Sequence, residues 1–144
     1  MRKIEFRGKT DNEESVFMYG YLRQFNDLDL AFIWDEKSHS HRVDPKTVGQ
    51  YIGIKDMTGR DIYEGDILKT ESDSKTRIED GKRFPQYSSR TIEILFEGGN
   101  FKSRIIAQEN SWWGDVPSEP ETLKGRLITK HYKIIGNIHT PTNA

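Results

Sequence analysis

The sequence predicts a mainly β protein with at most one short helix. Three observations carry that prediction. Residues 47–70 read TVGQYIGIKDMTGRDIYEGDILKT, two β-type apolar runs joined by one glycine turn, with a second glycine turn launching another strand. Residues 90–107 place Ile92, Ile94 and Phe96 in alternation up to the turn Glu97-Gly98-Gly99-Asn100, and the chain then returns. Short strands at close spacing, separated by glycine turns, recur along the chain without an internal repeat or heptad. That is the pattern of a small barrel or sandwich.

From the amino terminus, residues 3–7 alternate charged side chains with Ile4 and Phe6, as a half-buried strand does. The polar stretch 9–15 turns the chain, and the apolar run 16–22 (VFMYGYL) pairs back on the first strand. Asn26-Asp27 marks a turn before a third strand at 28–34. Residues 35–42 read as a polar loop, and Asp44-Pro45 as another turn, because proline fixes its own φ and restricts its predecessor. Residues 48–54 form a strand in which Gly49 and Gly53 mark a bulge or a close backbone approach. Asp56-Met57-Thr58-Gly59 is a turn closing on a left-handed glycine, and Glu64-Gly65 turns the chain into a strand carrying Ile67 and Leu68.

Residues 71–89 are long, polar and mixed in charge, and read as a protruding or mobile loop. Residues 111–120 hold Trp112, Trp113, Pro117 and Pro120 and read as irregular. Residues 121–130 fit helix or strand: Leu123, Leu127 and Ile128 have helical spacing, whereas Gly125 opposes a helix by about 1 kcal/mol. Residues 132–138 (YKIIGNI) form a last strand. The expected organisation is an amino-terminal hairpin region at 1–46 and a second region at 47–144 containing the long loop.

Composition narrows the function classes. The 144 residues carry 22 Lys and Arg against 23 Asp and Glu, a formal net charge of -1. A nucleic-acid-binding domain ordinarily has a basic excess, so that partner is not favoured. Hydrophobic residues make up 33%, and even with the 12 glycines added the chain falls short of the usual ~45–50%. Association with a partner or a second copy would supply the missing burial. There is no cysteine, hence no disulfide framework or thiolate metal site. The amino terminus lacks the apolar run of a signal peptide, and nothing approaches the ~18 apolar residues of a membrane helix. A cytoplasmic, membrane-free protein is expected.

Candidate sites are few. His39 and His41 form an H-x-H pair that a strand would present on one face, but a third ligand is not evident. Asp56, Asp61, Glu64 and Asp66 cluster without the alternation of a calcium loop, so turn-capping carboxylates are the simpler reading. Gly59, Gly65, Gly98 and Gly99 feed strands, not helix N-termini, and serve as turn residues, not phosphate cradles. Trp112 and Trp113 are the candidate contact residues, with Lys102 and Arg104 as cationic neighbours. No nucleophile motif, metal set or cofactor fingerprint is present, and a non-enzymatic, cofactor-free protein is expected.

At residues 48–67, VGQYIGIKDMTGRDIYEGDI resembles the hallmark segment of the YopX-like family of bacteriophage and prophage proteins. The opening IEFRGKTDN with FMYGYL, and the closing YKIIGNIH, are similar to that family's two ends. The resemblance implies a small SH3-like β-barrel portion beginning around residues 63–68, with the amino-terminal hairpins as additions. It implies a mobile-element origin in a bacterial cytoplasm, and it brings no catalytic residue. The expected role is a phage accessory protein acting as a protein-binding or self-associating module, as a homo-oligomer or with a host or phage protein. The alternative is a nucleic-acid-associated small barrel, in which Lys102, Arg104, Arg126 and Lys130 would share one face.

Overall fold

Period-two alternation becomes strand pairing through most of the chain. A computed structural model describes residues 3–109 and 119–140, and for 72–79 and 83–88 it describes the backbone alone. In chain order the elements are β1 (Phe6–Lys9), β2 (Phe17–Phe25), β3 (Leu30–Trp34), β4 (Ser40–Val43), β5 (Gly49–Lys55), β6 (Asp61–Tyr63), β7 (Asp66–Glu79), β8 (Lys82–Glu97), β9 (Asn100–Glu109), β10 (Glu121–Thr122), α1 (Gly125–His131) and β11 (Lys133–Asn137). They form a six-stranded sheet of order β4-β3-β2-β1-β5-β6 and a five-stranded sheet of order β10-β9-β8-β7-β11. Neither closes into a barrel among the described residues. The chain divides into two compact units: Met1–Gly53 with Asp61–Glu64, and Ile54–Arg60 with Gly65–Ala144.

In the first unit, Ala31, Ile33 and Val43 are buried, and Phe6, Met18, Leu22 and Val48 pack on them. Because side chains alternate, these residues define one inner face of β1 to β4. The pairs Leu22–Ile33 and Ala31–Val43 set the register that puts them there. An isolated bridge between Thr10 and Val43 ties the end of β4 to the residue after β1. The Asp44 amide donating to the Lys9 carbonyl at 2.9 Å adds to that tie. Residues 40–42, read from sequence as the end of a polar loop, are therefore strand, continuing to Val43. Only Val43 is fully buried there, so the hydrophobic signal was one residue long. Gly49 is a close approach: a Cβ there would lie 2.6 Å from the Glu64 carbonyl oxygen.

In the second unit, Leu68, Ile92, Ile94, Ile105, Ile128, Tyr132 and Ile134 are buried. Residues 71–89 are not a loop. β7 and β8 pair out to Glu79–Lys82, with the turn at Asp80-Gly81. Sequence reading missed this because the composition is polar and pairing needs only backbone groups. The ambiguity at 121–130 resolves into both alternatives. Glu121 and Thr122 pair with Ser103 and Lys102 on β9, and α1 follows from Gly125. Lys130 and His131 in its last turn complement the helix dipole. No helix among the described residues is long and apolar enough to cross a membrane.

Candidate interaction surface

The outer face of the six-stranded sheet carries the odd-numbered residues of β1 and β2 and the even-numbered residues of β3 and β4, since their neighbours line the inner core. It holds Phe17, Tyr19, Tyr21 and Phe25 from β2 and Phe32 and Trp34 from β3. Their cationic neighbours are Arg7 and Lys9 on β1, Arg23 on β2 and Arg42 on β4.

One half of the face is a cation–aromatic ladder around buried Arg7, Tyr51 and Tyr63. The Arg7 guanidinium lies 4.3 Å from the Phe17 ring centroid and 5.1 Å from that of Tyr63. Tyr63 in turn contacts Tyr19 at 5.4 Å and Tyr51 at 5.7 Å. Lys9 sits over Phe17 and Lys3 over Tyr51. Arg7 is only 5% exposed, and its Nη2 donates to the Glu64 carbonyl at 3.4 Å. Burial and the adjacent Glu5 carboxylate push the Tyr63 phenol well up, so it stays neutral. Burial also raises the Glu64 carboxyl, against the opposing pull of the Gln50 backbone and Arg7. A neutral phenol and a buried guanidinium over aromatic rings pack this half of the face.

The other half is open. Tyr21 is 73% exposed, Tyr19 45%, Trp34 38% and Phe25 37%. Tyr21 pairs with Trp34, which pairs in turn with Ser40, and two residues along, Arg23 pairs with Phe32, which pairs with Arg42. Arg23 lies over Phe25 at 5.0 Å, and Phe25 meets Phe32 edge-on at 6.2 Å. Asp and Glu are absent from this face of β2, β3 and β4. Aromatic and arginine side chains without carboxylates are what protein contact surfaces enrich. Sequence reading missed this surface because its members come from three strands, and only the register aligns them.

The sequence-derived candidates are distributed elsewhere. Trp112 and Trp113 lie outside the described residues. Lys102 and Arg104 lie in the second unit, partly buried on one face of β9, opposite Leu95 and Glu93. Arg104 Nη2 is 3.9 Å from Glu97 Oε2, and Arg104 also stands opposite Glu93 in the register. Arg126 and Lys130 are exposed one turn apart on α1. Gly59, Gly65, Gly98 and Gly99 have φ of 91, 93, 61 and 83°.

The carboxylates and histidines do structural work. Asp56 Oδ1 accepts from the Thr58 amide (2.8 Å), the Thr58 hydroxyl (2.7 Å) and the Arg60 amide (3.0 Å). Its Oδ2 accepts from the Ile134 amide at 2.9 Å, which fastens the turn to β11. Burial pulls the Asp56 carboxyl up, but these donors outweigh it and hold it below the usual range. His41 Nε2 lies 2.9 Å from Asp35 Oδ2, and His39 Nδ1 lies 3.9 Å from the same oxygen. The His41 bond and the His39 amide hold Asp35 down to about 2. No group of three or more His, Asp or Glu among the described residues could hold a metal ion.

Family comparison matches the family described as YopX protein over residues 5–143. The chain belongs to the YopX family. The match takes in both units and every strand described above. No curated protein matches the chain.

Proposed function

We propose that this YopX-family chain is a non-catalytic binding module that engages protein through the outer face of β2, β3 and β4. One observation carries the reading: exposed Tyr19, Tyr21, Phe25 and Trp34 stand with Arg23 and Arg42 on one carboxylate-free face, beside a packed cation–aromatic ladder. Monomeric proteins rarely leave a contiguous apolar patch of this kind uncovered. Rigid aromatic rings also bind at low entropic cost, because two χ angles fix each one. The setting that goes with this reading is a phage or prophage accessory role in a bacterial cytoplasm, as the family resemblance implies.

The test is affinity capture from a bacterial host, with and without nuclease, using the natural chain and a Tyr21→Ala/Trp34→Ala variant. A stoichiometric protein that survives nuclease and is lost with the variant supports the reading. Capture indifferent to the variant overturns the surface. Bound nucleic acid that disappears with nuclease overturns the partner class.

A further inference from the structure

The helix of the second unit carries more positive charge than its own stability explains. Of α1 only Ile128 is buried, and Arg126, Leu127, Lys130 and His131 are exposed, as is Lys124 at the cap. Lys124 and Lys130 lie three residues either side of Leu127, and His131 lies four beyond it. Residues at those spacings are neighbours on a helix surface, so basic side chains border a leucine that is 50% exposed. Arg126 and Lys130 are four apart, and like charges at that spacing destabilise a helix. Arg126 also stands in the first turn, where the helix dipole disfavours a cation and no acid offsets it. Among the described residues, the side chains of Lys124, Arg126 and Lys130 have no hydrogen-bond or ion-pair partner. Three acids stand in the segments around α1. Asp56 spends both oxygens on four donors. Glu121 is half-buried on β10 beside Tyr132, and Glu119 is exposed. One exposed carboxylate thus stands against three exposed cations and a histidine.

We propose that this face of α1 docks an acidic segment of another protein, which presents an apolar side chain to Leu127. The surface belongs to the second unit, and the inference does not depend on the aromatic face of the first. Carboxylates opposite Lys124, Arg126 and Lys130 would relieve the repulsion that the helix bears alone, and their pairing would fix the register of the segment. An apolar side chain would cover Leu127, which charge alone leaves in water. A nucleic-acid strand fits less well. Single strands bind on rings as well as on cations, and across residues 54–60 and 119–140 the one phenolic or phenyl ring is that of Tyr132, which is buried. Phosphates would also leave Leu127 uncovered.

Anisotropy of a short fluorescein-labelled peptide of Asp and Glu around a single Leu, titrated with the full chain at low salt, tests the inference. Saturable binding is expected, weakened at least about tenfold by Arg126→Glu/Lys130→Glu and more modestly by Leu127→Ser. Lys133→Glu on β11 and Tyr21→Ala/Trp34→Ala should leave it within about twofold. On adding the peptide to an isotope-labelled natural chain, the amide shifts should centre on residues 124–131, a readout that needs no variant to fold. Absence of binding at low salt overturns the inference, and so do shifts centred elsewhere. An equal loss with Lys133→Glu would show that overall charge and not α1 attracts the peptide, which also overturns it. A Leu127→Ser chain that binds as tightly as the natural one removes the apolar contact. Tighter binding of a labelled mixed-sequence single strand, lost with Arg126→Glu/Lys130→Glu, overturns the partner class. Because Tyr21→Ala/Trp34→Ala is read in the same titration, failure here leaves the aromatic face standing or falling on its own capture experiment.

Discussion

At the residue scale, Asp56 and Arg7 show how a polar side chain becomes part of a core. Asp56 is 2% exposed and accepts four hydrogen bonds, so its removal leaves the buried Ile134 amide and three part-buried turn donors unpaired. Asp56→Ala should cost about 3 kcal/mol in urea unfolding, and a loss under about 0.5 kcal/mol would contradict the role. Since the folded carboxyl lies below its unfolded value near ~3.9, its stabilisation is present above that pH and disappears as the pH falls through the folded value. Asp35 follows the same sign, its contribution being lost between roughly pH 4 and about 2. Arg7 depends on a flat guanidinium between Phe17 and Tyr63. Arg7→Lys keeps the charge and loses the stack, and should lower stability by about 1–2 kcal/mol. An unchanged melting temperature would show that charge alone matters there.

At the element scale, turns decide where strands begin. Gly65 has φ of 93°, its amide donates to the Ile94 carbonyl at 2.7 Å and its carbonyl accepts from Ile138 at 2.9 Å. A Cβ would meet Ile138 at an ordinary 3.5 Å, so a substitution is penalised by backbone conformation and not by a clash. Gly65→Val should destabilise by about 1–3 kcal/mol, measured as a fall in melting temperature. The long β7–β8 hairpin has a different vulnerability. β9 accompanies β8 as far as Ser89 and β11 accompanies β7 as far as Lys69, whereas pairing of β7 with β8 continues to Glu79–Lys82. Two strands alone are marginal in water. Amides of residues 75–86 should therefore exchange with deuterium faster than those of 67–71, and equal protection would mean that something else covers them.

At the scale of the whole molecule, a net charge of -1 argues against electrostatic binding of nucleic acid. A labelled mixed-sequence single strand should show no anisotropy change with this chain at physiological salt. Steeply salt-dependent binding would instead restore the nucleic-acid reading. By itself the sequence determined the β class, the glycine turns, the hairpin at Glu97-Gly98-Gly99-Asn100 and the family hallmark at 48–67. Each of these is a local signal: alternation, a residue able to take positive φ, or a contiguous motif. It also determined that Asp56 serves its own turn, because that bond spans two to four residues. Tertiary structure alone decided the rest. The Asp56 bond to Ile134 joins residues 78 positions apart, and no local pattern announces it. Residues 71–89 pair as strands because backbone hydrogen bonds ignore the polarity that made them read as a loop. The aromatic face exists only because strand register lines up side chains from β2, β3 and β4. One step of slippage would turn all of them inward, which is why sequence spacing could not reveal it.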